Sequence, residues 1–383
     1  MRALFRALRK LRFSYEPLVE VRISRDALLH NFAVVKKAHP SLAIAPVLKS
    51  NAYGHGLIPI ARLLEPARAP FFVIDSYAEA LILRNERIRT PLLVIGYTPS
   101  VTIAQSRMAD TAYTVSSLEQ LEELSRILKK PCAIHLKIDT GMHRQGVMLD
   151  EVEIALGIIS GNAMVHLTGV ATHLADADGA NAASTHAQIN HWNELVRTVQ
   201  RRVPSVAFFH CAATAGGAYS QMIDANVMRL GIGLYGITAG SCEYDVKPVL
   251  ELRTVVSAVK CVSEGECIGY NCTFKAPHDM AIAVIPVGYA EGLDRRLSNK
   301  GTVRIHGMSC PLVGRVSMNI AAVDVSACRG VQRGDTVIVY SADRSAANTI
   351  AKSAELCGTI PHELCVRINP HLRRTITEPS ALH

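Results

Sequence analysis

Lys49 stands in the run Val47-Leu-Lys-Ser-Asn-Ala-Tyr-Gly-His-Gly56, directly after an apolar stretch. A lysine leaving a buried strand and followed by two glycines suits Schiff-base chemistry. Burial at such a place favours the neutral amine of a lysine, which can then attack a carbonyl. A solvated loop lysine is the plain alternative. Four further polar residues repeat this placement after an apolar run. Arg144 lies in Lys137-Ile-Asp-Thr-Gly-Met-His-Arg-Gln-Gly146 and His173 follows Thr172. Thr214 ends His210-Cys-Ala-Ala-Thr, and Arg229 precedes Gly231-Ile-Gly-Leu-Tyr-Gly236. Singly, each has an ordinary reading: a surface arginine, a core histidine, a tight glycine turn. Five such residues at the ends of apolar runs are harder to assign to chance.

The elements that must position them follow from the spacing of the apolar runs. Eight short runs fall at 42–48, 71–74, 92–95, 111–114, 132–138, 165–172, 206–209 and 227–230. Helix-period segments lie between them, at 77–85, 117–130, 151–159 and 184–201. Eight strands alternating with helices predict a (β/α)8 barrel. Continuous rather than alternating apolar runs suit parallel strands buried on both faces. All five polar residues then fall on the C-terminal face of the strands, where barrel enzymes place their sites. After about residue 240 the texture changes to β-branched runs at 249–262, 281–287, 302–305, 321–325 and 336–340, with helical spacing only at 346–356. A mainly β domain is expected there. The predicted organisation is a basic extension at 1–14, an α/β barrel at 15–240 and a mainly β domain at 241–383. Residues 15–24 are expected to pair with the latter.

A glycine turn after the eighth barrel strand is a common phosphate site, because backbone N–H groups point at the anion. A Schiff-base lysine and a phosphate cradle on one face point to pyridoxal phosphate. Arg229 is best placed to face the pyridine nitrogen. Arginine cannot accept a proton, so the ring nitrogen stays unprotonated and the electron sink is weak. That favours simple α-proton exchange over transamination or elimination.

Composition narrows the classes. The 383 residues are 49% hydrophobic and 19% charged, with one Trp and a net charge of +8. Arg2, Arg6, Arg9, Lys10 and Arg12 supply five of those charges, leaving +3 for the other 369 residues. The basic balance is thus a property of the N-terminus and not a nucleic-acid surface. Segment 1–13 could form an amphipathic docking helix, with a frayed extension the favoured reading. No apolar run reaches the ~20 residues of a membrane span, and no secretory signal is evident. Ten cysteines contain no C-x-x-C pair, so zinc is not expected. With no export signal the thiols are expected to be reduced and the location cytoplasmic.

The motifs at 47–56, 137–146, 229–236 and Gly314-Arg-Val-Ser-Met-Asn319 occur together and in the order seen in alanine racemases. The sequence resembles that family of fold-type III pyridoxal-phosphate enzymes from about residue 18 to 376. The resemblance implies a homodimer with shared sites that interconverts L- and D-alanine for peptidoglycan. Lys49 would be the base on the D face and Tyr270, from the second subunit, the base opposite. Arg229 would face the pyridine nitrogen, with His173 bonded towards Arg229 and Tyr270. Tyr53, Thr214, Gly231 and Ile232 would hold the phosphate. Arg144 and the Met318 amide would bind the substrate carboxylate. Lys137 matches a lysine often carbamylated in the family, and Asp178, Arg295 and Arg315 match the polar lining of the access corridor. No metal is implied.

Three positions depart from the family pattern. Ala213-Thr214 stands where Asn-Ser is usual, and Asn319 where Asp is usual. His362, in Ile360-Pro-His-Glu363, replaces a tyrosine that binds phosphate and narrows the inner gate. These departures keep open a racemase for serine or another amino acid, and a cofactor-binding homologue without catalysis. The presence of both Lys49 and Tyr270 argues against the latter. A decarboxylase of the same fold type is disfavoured, because such enzymes place a carboxylate where Arg229 stands.

Overall fold

The computed structural model describes residues 16–179, 182–238 and 244–378, so the basic segment 1–14 lies outside the described residues. The chain divides into two units. One takes the described residues up to Ile23 with Leu250–Thr375, the other Ser24–Val249 with the residues from Ile376 on. Its first strand, β1 (Glu20–Ser24), belongs to the β unit, and the chain then enters the barrel.

Eight parallel strands build the barrel: β2 (Ala43–Pro46), β3 (Phe72–Ile74), β4 (Leu92–Val94), β5 (Thr111–Val115), β6 (Cys132–Lys137), β7 (Val165–Ala171), β8 (Phe208–His210) and β9 (Val227–Leu230). β3 to β8 pair in sequence order, and β2 pairs with β9. Val47 bridges Val73 on one side. The Arg229 N–H donates to the Ala212 carbonyl on the other, at 3.1 Å. All residues of β3, β4 and β9 are buried, which is why their runs are apolar throughout.

The helices between the strands start where their sequence caps them. Ser76 accepts from the Glu79 N–H and Glu79 answers in a capping box ahead of Tyr77–Asn85. Ser117 caps Leu118–Ile127 by accepting from the Gln120 N–H. The long helix Ala182–Arg202 buries Thr185, Gln188, Ile189, Trp192, Leu195, Val196 and Val199. That i, i+3/i+4 stripe faces the strands. Helices at Arg25–Ala38, Leu57–Leu64 and Ser100–Gln105 add to those expected from periodicity. Among the described residues no helix is long and apolar enough to cross a membrane.

The β unit adds β10 (Leu250–Val255), β11 (Ala258–Val262), β12 (Met280–Ile285), β13 (Thr302–Ile305), β14 (Met308–Val313), β15 (Ala321–Asp324), β16 (Thr336–Tyr340) and β17 (Arg373–Thr377). They form one sheet in the order β11-β12-β15-β14-β13-β16-β10-β1-β17. β1 lies antiparallel to β10, with Val21 opposite Leu252. Burial alternates along both strands, as expected for a sheet covered on one face. The run expected at 249–262 is two strands, broken at Val256 and Ser257 and placed far apart in the sheet. The helical segment expected from 346 begins at Ile350, because Thr349 caps it and accepts from the Lys352 N–H.

One cysteine expectation is corrected. Cys267 and Cys272 form a disulfide, their Cα atoms 4.9 Å apart, while the other seven described cysteines are free. A tight chain reversal brings the two together, which their spacing of five does not announce.

Candidate active site

Lys49 leaves β2 into an unusual turn. Ser50, Asn51, Ala52 and Tyr53 all have φ between 52° and 56°, although none is glycine. Left-handed backbone costs roughly 1–2 kcal/mol per such residue, so neighbouring groups must hold it. Asn51 does much of this. Its N–H donates to Glu79 Oε1 at 3.2 Å, and its Oδ1 accepts the Leu57 N–H at 2.8 Å. The Tyr235 hydroxyl fixes the strand end by donating to the Val47 carbonyl at 2.8 Å. The turn presents Lys49 half-buried and Tyr53 buried.

Both side chains line a cavity of about 130 Å³ at the C-terminal face of the strands, with Lys137, Arg144, His173, His210, Ala213, Arg229 and Gly231. Five residues expected at strand ends were Lys49, Arg144, His173, Thr214 and Arg229. Four line the cavity. Thr214 is buried beside it, where its Oγ1 accepts the Gly233 N–H at 3.2 Å.

Arg229 is the hub. It is buried, and its recorded partners are two imidazoles and three carbonyls. Nη1 donates to His210 Nδ1 and to the His210 carbonyl, both at 2.7 Å. Nη2 donates to His173 Nδ1 at 3.0 Å and to the carbonyls of Thr172 and Cys211, each at 2.9 Å. Burial draws its pKa down to about 10, so it stays charged at neutral pH. Because a guanidinium only donates, both histidines present a bare Nδ1 to it and carry their proton on Nε2. His210 Nε2 then donates to His135 Nδ1 at 2.8 Å. A chain Arg229–His210–His135 thus runs through the barrel interior.

These histidines are neutral. Burial, then Arg229, pushes His135 down to about 3, and burial with Arg229, Lys137, Arg144 and Lys49 pushes His173 to about 2. His210 is lowered by the same burial and by Arg229. The positive charge of the His173–Arg229 pair therefore resides on the arginine. Burial and Arg229 also bring Lys137 down to about 7. Burial pushes Tyr53 up to about 12, so its hydroxyl remains a hydrogen-bond donor.

The Arg144 loop is organised by Asp139, which sequence reasoning had not singled out. Its carboxylate accepts from the N–H groups of Gly141 at 2.9 Å, Met142 at 2.8 Å and Arg144 at 3.1 Å. Burial raises its pKa, but these bonds outweigh that and leave it lowered. Gln188 supports the His173 end, donating to the His173 carbonyl at 3.3 Å and to Thr140 Oγ1 at 3.2 Å.

A cradle for an anion is visible in the same cavity. A Cβ at Gly231 would stand 2.9 Å from the Tyr53 hydroxyl and 4.0 Å from Thr214 Oγ1. Glycine there leaves open the space that two hydroxyls and the start of the turn Ile232–Tyr235 surround. A lysine amine, two hydroxyls beside a glycine turn and a buried arginine fit the groups by which pyridoxal phosphate is held. Ile232 is buried at the start of that turn and Asp178 is exposed in the loop before the long helix.

The remaining expected site residues belong to the β unit. Tyr270 is 67% exposed at a loop tip and Met318 57% exposed. Arg295 opens a short turn, Arg295–Leu297, and Arg315 is half-buried. His362 occupies the second position of the helix Pro361–Arg367. Asn319 donates to Glu291 Oε1 at 2.6 Å, while Glu291 Oε2 accepts the Gly288 N–H at 2.8 Å. A carboxylate at 319 would face Glu291, so the amide is the residue this neighbour requires.

Comparison with known proteins agrees with both units. The alanine racemase N-terminal domain matches residues 23–239 and the alanine racemase C-terminal domain residues 249–376. An alanine racemase of Syntrophobacter fumaroxidans is 35% identical over 352 residues, covering 90% of this chain and 93% of that protein. Among solved structures, alanine racemase from Bacillus anthracis with bound L-Ala-P is 28% identical with a TM-score of 0.87, covering 96% of each chain. The enzyme of D-cycloserine-producing Streptomyces lavendulae is 25% identical at the same TM-score, over 96% of this chain and 99% of that one. With both domain models matched in order along nearly the whole length, this chain belongs to the alanine racemase family.

Proposed function

We propose that the chain is a pyridoxal-phosphate-dependent racemase that interconverts L- and D-alanine with two opposed bases. The observation that carries the reading is the single cavity lined by Lys49, Tyr53, Arg229 and Gly231. Bound there, the cofactor would supply the conjugated ring that acidifies the substrate Cα–H.

The chain's own groups do the rest. Lys49 would hold the cofactor through its amine and exchange the Cα proton on the D face. Tyr53, Thr214, Gly231 and Ile232 would hold the phosphate, with His362 contributing from the β unit. Arg229 would face the pyridine nitrogen as a donor that cannot accept a proton, which keeps that nitrogen unprotonated and limits side reactions. Arg144 and the Met318 N–H would orient the substrate carboxylate, with Asp178, Arg295, Arg315 and Asn319 around its approach. Lys137, drawn down to about 7, has the free amine that carbamylation requires, and so could support Arg144.

Racemisation needs a proton removed from one face of Cα and delivered to the other, and one lysine does not serve both faces. Tyr270 of the partner subunit would be the second base in a homodimer. Complementation tests this. Lys49→Ala and Tyr270→Phe homodimers each lack one base in both sites and should be nearly inactive. Refolding them together creates mixed dimers with one site holding both bases, so activity should return. Mixed dimers that form without activity would place both bases on one chain. Borohydride treatment should fix the cofactor to the Lys49 peptide, and an adduct on another lysine would move the site.

A further inference from the structure

Tyr270 stands inside a ring of six residues, from Cys267 to Cys272, closed by the disulfide. The two limbs of this reversal are held very differently. The first is anchored: the Ile268 N–H donates to the Phe274 carbonyl at 2.9 Å, and Ile268 is buried against Ile282 and Val313. Gly269 lies so close to the Arg315 backbone that a Cβ would come 3.2 Å from its nitrogen. The second limb, Asn271 and Cys272, is exposed. Beyond it, the Asn299 amide donates to the Thr273 carbonyl at 3.2 Å. Asn271 and Cys272 have φ of 62° and 47°. Asparagine tolerates that region, but cysteine is not among the residues that favour it. The disulfide ties this strained, exposed limb to the anchored one, and Tyr270 hangs between them.

We propose that Cys267 and Cys272 are a reversible thiol–disulfide modification site that sets how firmly Tyr270 is held, the disulfide form being the faster racemase. This rests on the reading of Tyr270 as the second base. In the isolated protomer both sulfurs belong to exposed residues, and exposed disulfides are the ones open to exchange. Among the other described cysteines only Cys261 is exposed.

The step is an exchange with a small disulfide oxidant of the oxidised-glutathione class. One cysteine thiolate attacks an oxidant sulfur and expels one oxidant thiol. The second cysteine then attacks the protein sulfur of the mixed disulfide and expels the other. The two protein thiols give up two electrons and two protons, and the oxidant's S–S bond becomes two thiols. A dithiol or phosphine reductant runs the reverse. Opening the ring frees Asn271 and Cys272 to leave the left-handed region, so Tyr270 spends less time in one orientation. The chain-entropy relation for a ring of six residues bounds the gain in population of the held conformation at about 40-fold.

The test uses the holoenzyme, reduced with a phosphine or oxidised with glutathione disulfide, with the pair quantified by alkylation and mass spectrometry. Conversion of L- to D-alanine should fall in kcat on reduction, by no more than about 40-fold, and recover on oxidation. The double variant Cys267→Ser/Cys272→Ser should sit at the low rate whatever the redox state, while Cys261→Ser keeps the response. Deuterium entry at Cα of D-alanine, through Lys49, should persist in the reduced enzyme, whereas a general loss of structure would abolish it too. A pair that glutathione disulfide does not close, or a kcat unchanged when the pair opens, overturns the proposal. If Tyr270→Phe racemises at the full rate, the second-base reading fails and takes this inference with it. If Tyr270→Phe is inactive yet reduction changes nothing, the redox site alone is refuted.

Discussion

The neutral histidines of the barrel make its stability depend on pH in a way the structure quantifies. His135, His173 and His210 have folded pKa values far below the 6.5 of an unfolded histidine. The folded chain therefore binds fewer protons than the unfolded one in acid. Stability from these groups is fully present above about pH 6.5. It is lost as pH falls from there through the folded values of about 3 and 2. Between pH 7 and pH 5.5 each histidine removes on the order of 1 kcal/mol, or roughly 3–4 kcal/mol for three. That is a large part of the ~5–15 kcal/mol that holds an ordinary domain folded. Carboxylates are mostly ionised in both states across this window, so the histidines dominate it. His39, lowered by burial, acts in the same direction. The chain carries its own probe, because its single tryptophan, Trp192, is fully buried in the barrel. Urea unfolding followed by Trp192 fluorescence, at fixed protein and cofactor concentrations, should show the midpoint falling steeply below pH 6.5. In His135→Asn the amide oxygen can still accept from His210, and one titrating group is gone. Its absolute stability will drop, but its pH slope should shrink by about a third. A midpoint flat between pH 7 and 5.5, or a slope untouched by His135→Asn, would refute the account of neutral, buried imidazoles.

Three further outcomes follow from the geometry. Gly231→Ala should weaken pyridoxal-phosphate binding at least tenfold in a fluorescence titration with little change in melting temperature, since its Cβ meets the Tyr53 hydroxyl at 2.9 Å. Arg229→Lys keeps the charge but can make at most three of the five hydrogen bonds. Racemisation should fall about 100- to 1,000-fold, the scale of losing one preorganised electrostatic contact, and unchanged kcat would remove Arg229 from the reaction. Asn319→Asp should destabilise the β unit by no more than about 1 kcal/mol at pH 7, since it sets a second acid against Glu291 at an exposed position, and raising the salt concentration should shrink the loss in thermal melts.

What could be seen in the sequence was decided by which interactions are local. The barrel strands show because parallel strands buried on both faces need continuous apolar runs, as at Phe72–Ile74 and Val227–Leu230. The site residues show because each interrupts such a run or follows it directly. His135 and Lys137 also left a trace: they are two residues apart on β6, on one face, polar in an otherwise apolar strand. That pairing signals an interior polar partner, although only the fold reveals that His210 supplies one to His135. The continuous β-branched run at 249–262 hid a strand break, because nothing local says that β10 and β11 part company at Val256. The turn after Lys49 is the sharpest case. Four non-glycine residues in the left-handed region contradict local preference, and only asparagine among them suits it. Their conformation is imposed by contacts distant in sequence: Glu79 on the Asn51 N–H, the Leu57 N–H on its side chain, and Tyr235 on the strand before. The turn is where the local and global choices disagree, and such disagreement is tolerated chiefly at functional sites. It also aims Lys49 and Tyr53 into one cavity from positions only four residues apart. The strained turn is the same segment that presents Lys49 and Tyr53 to the cavity, so the strain and the proposed chemistry have a single structural origin.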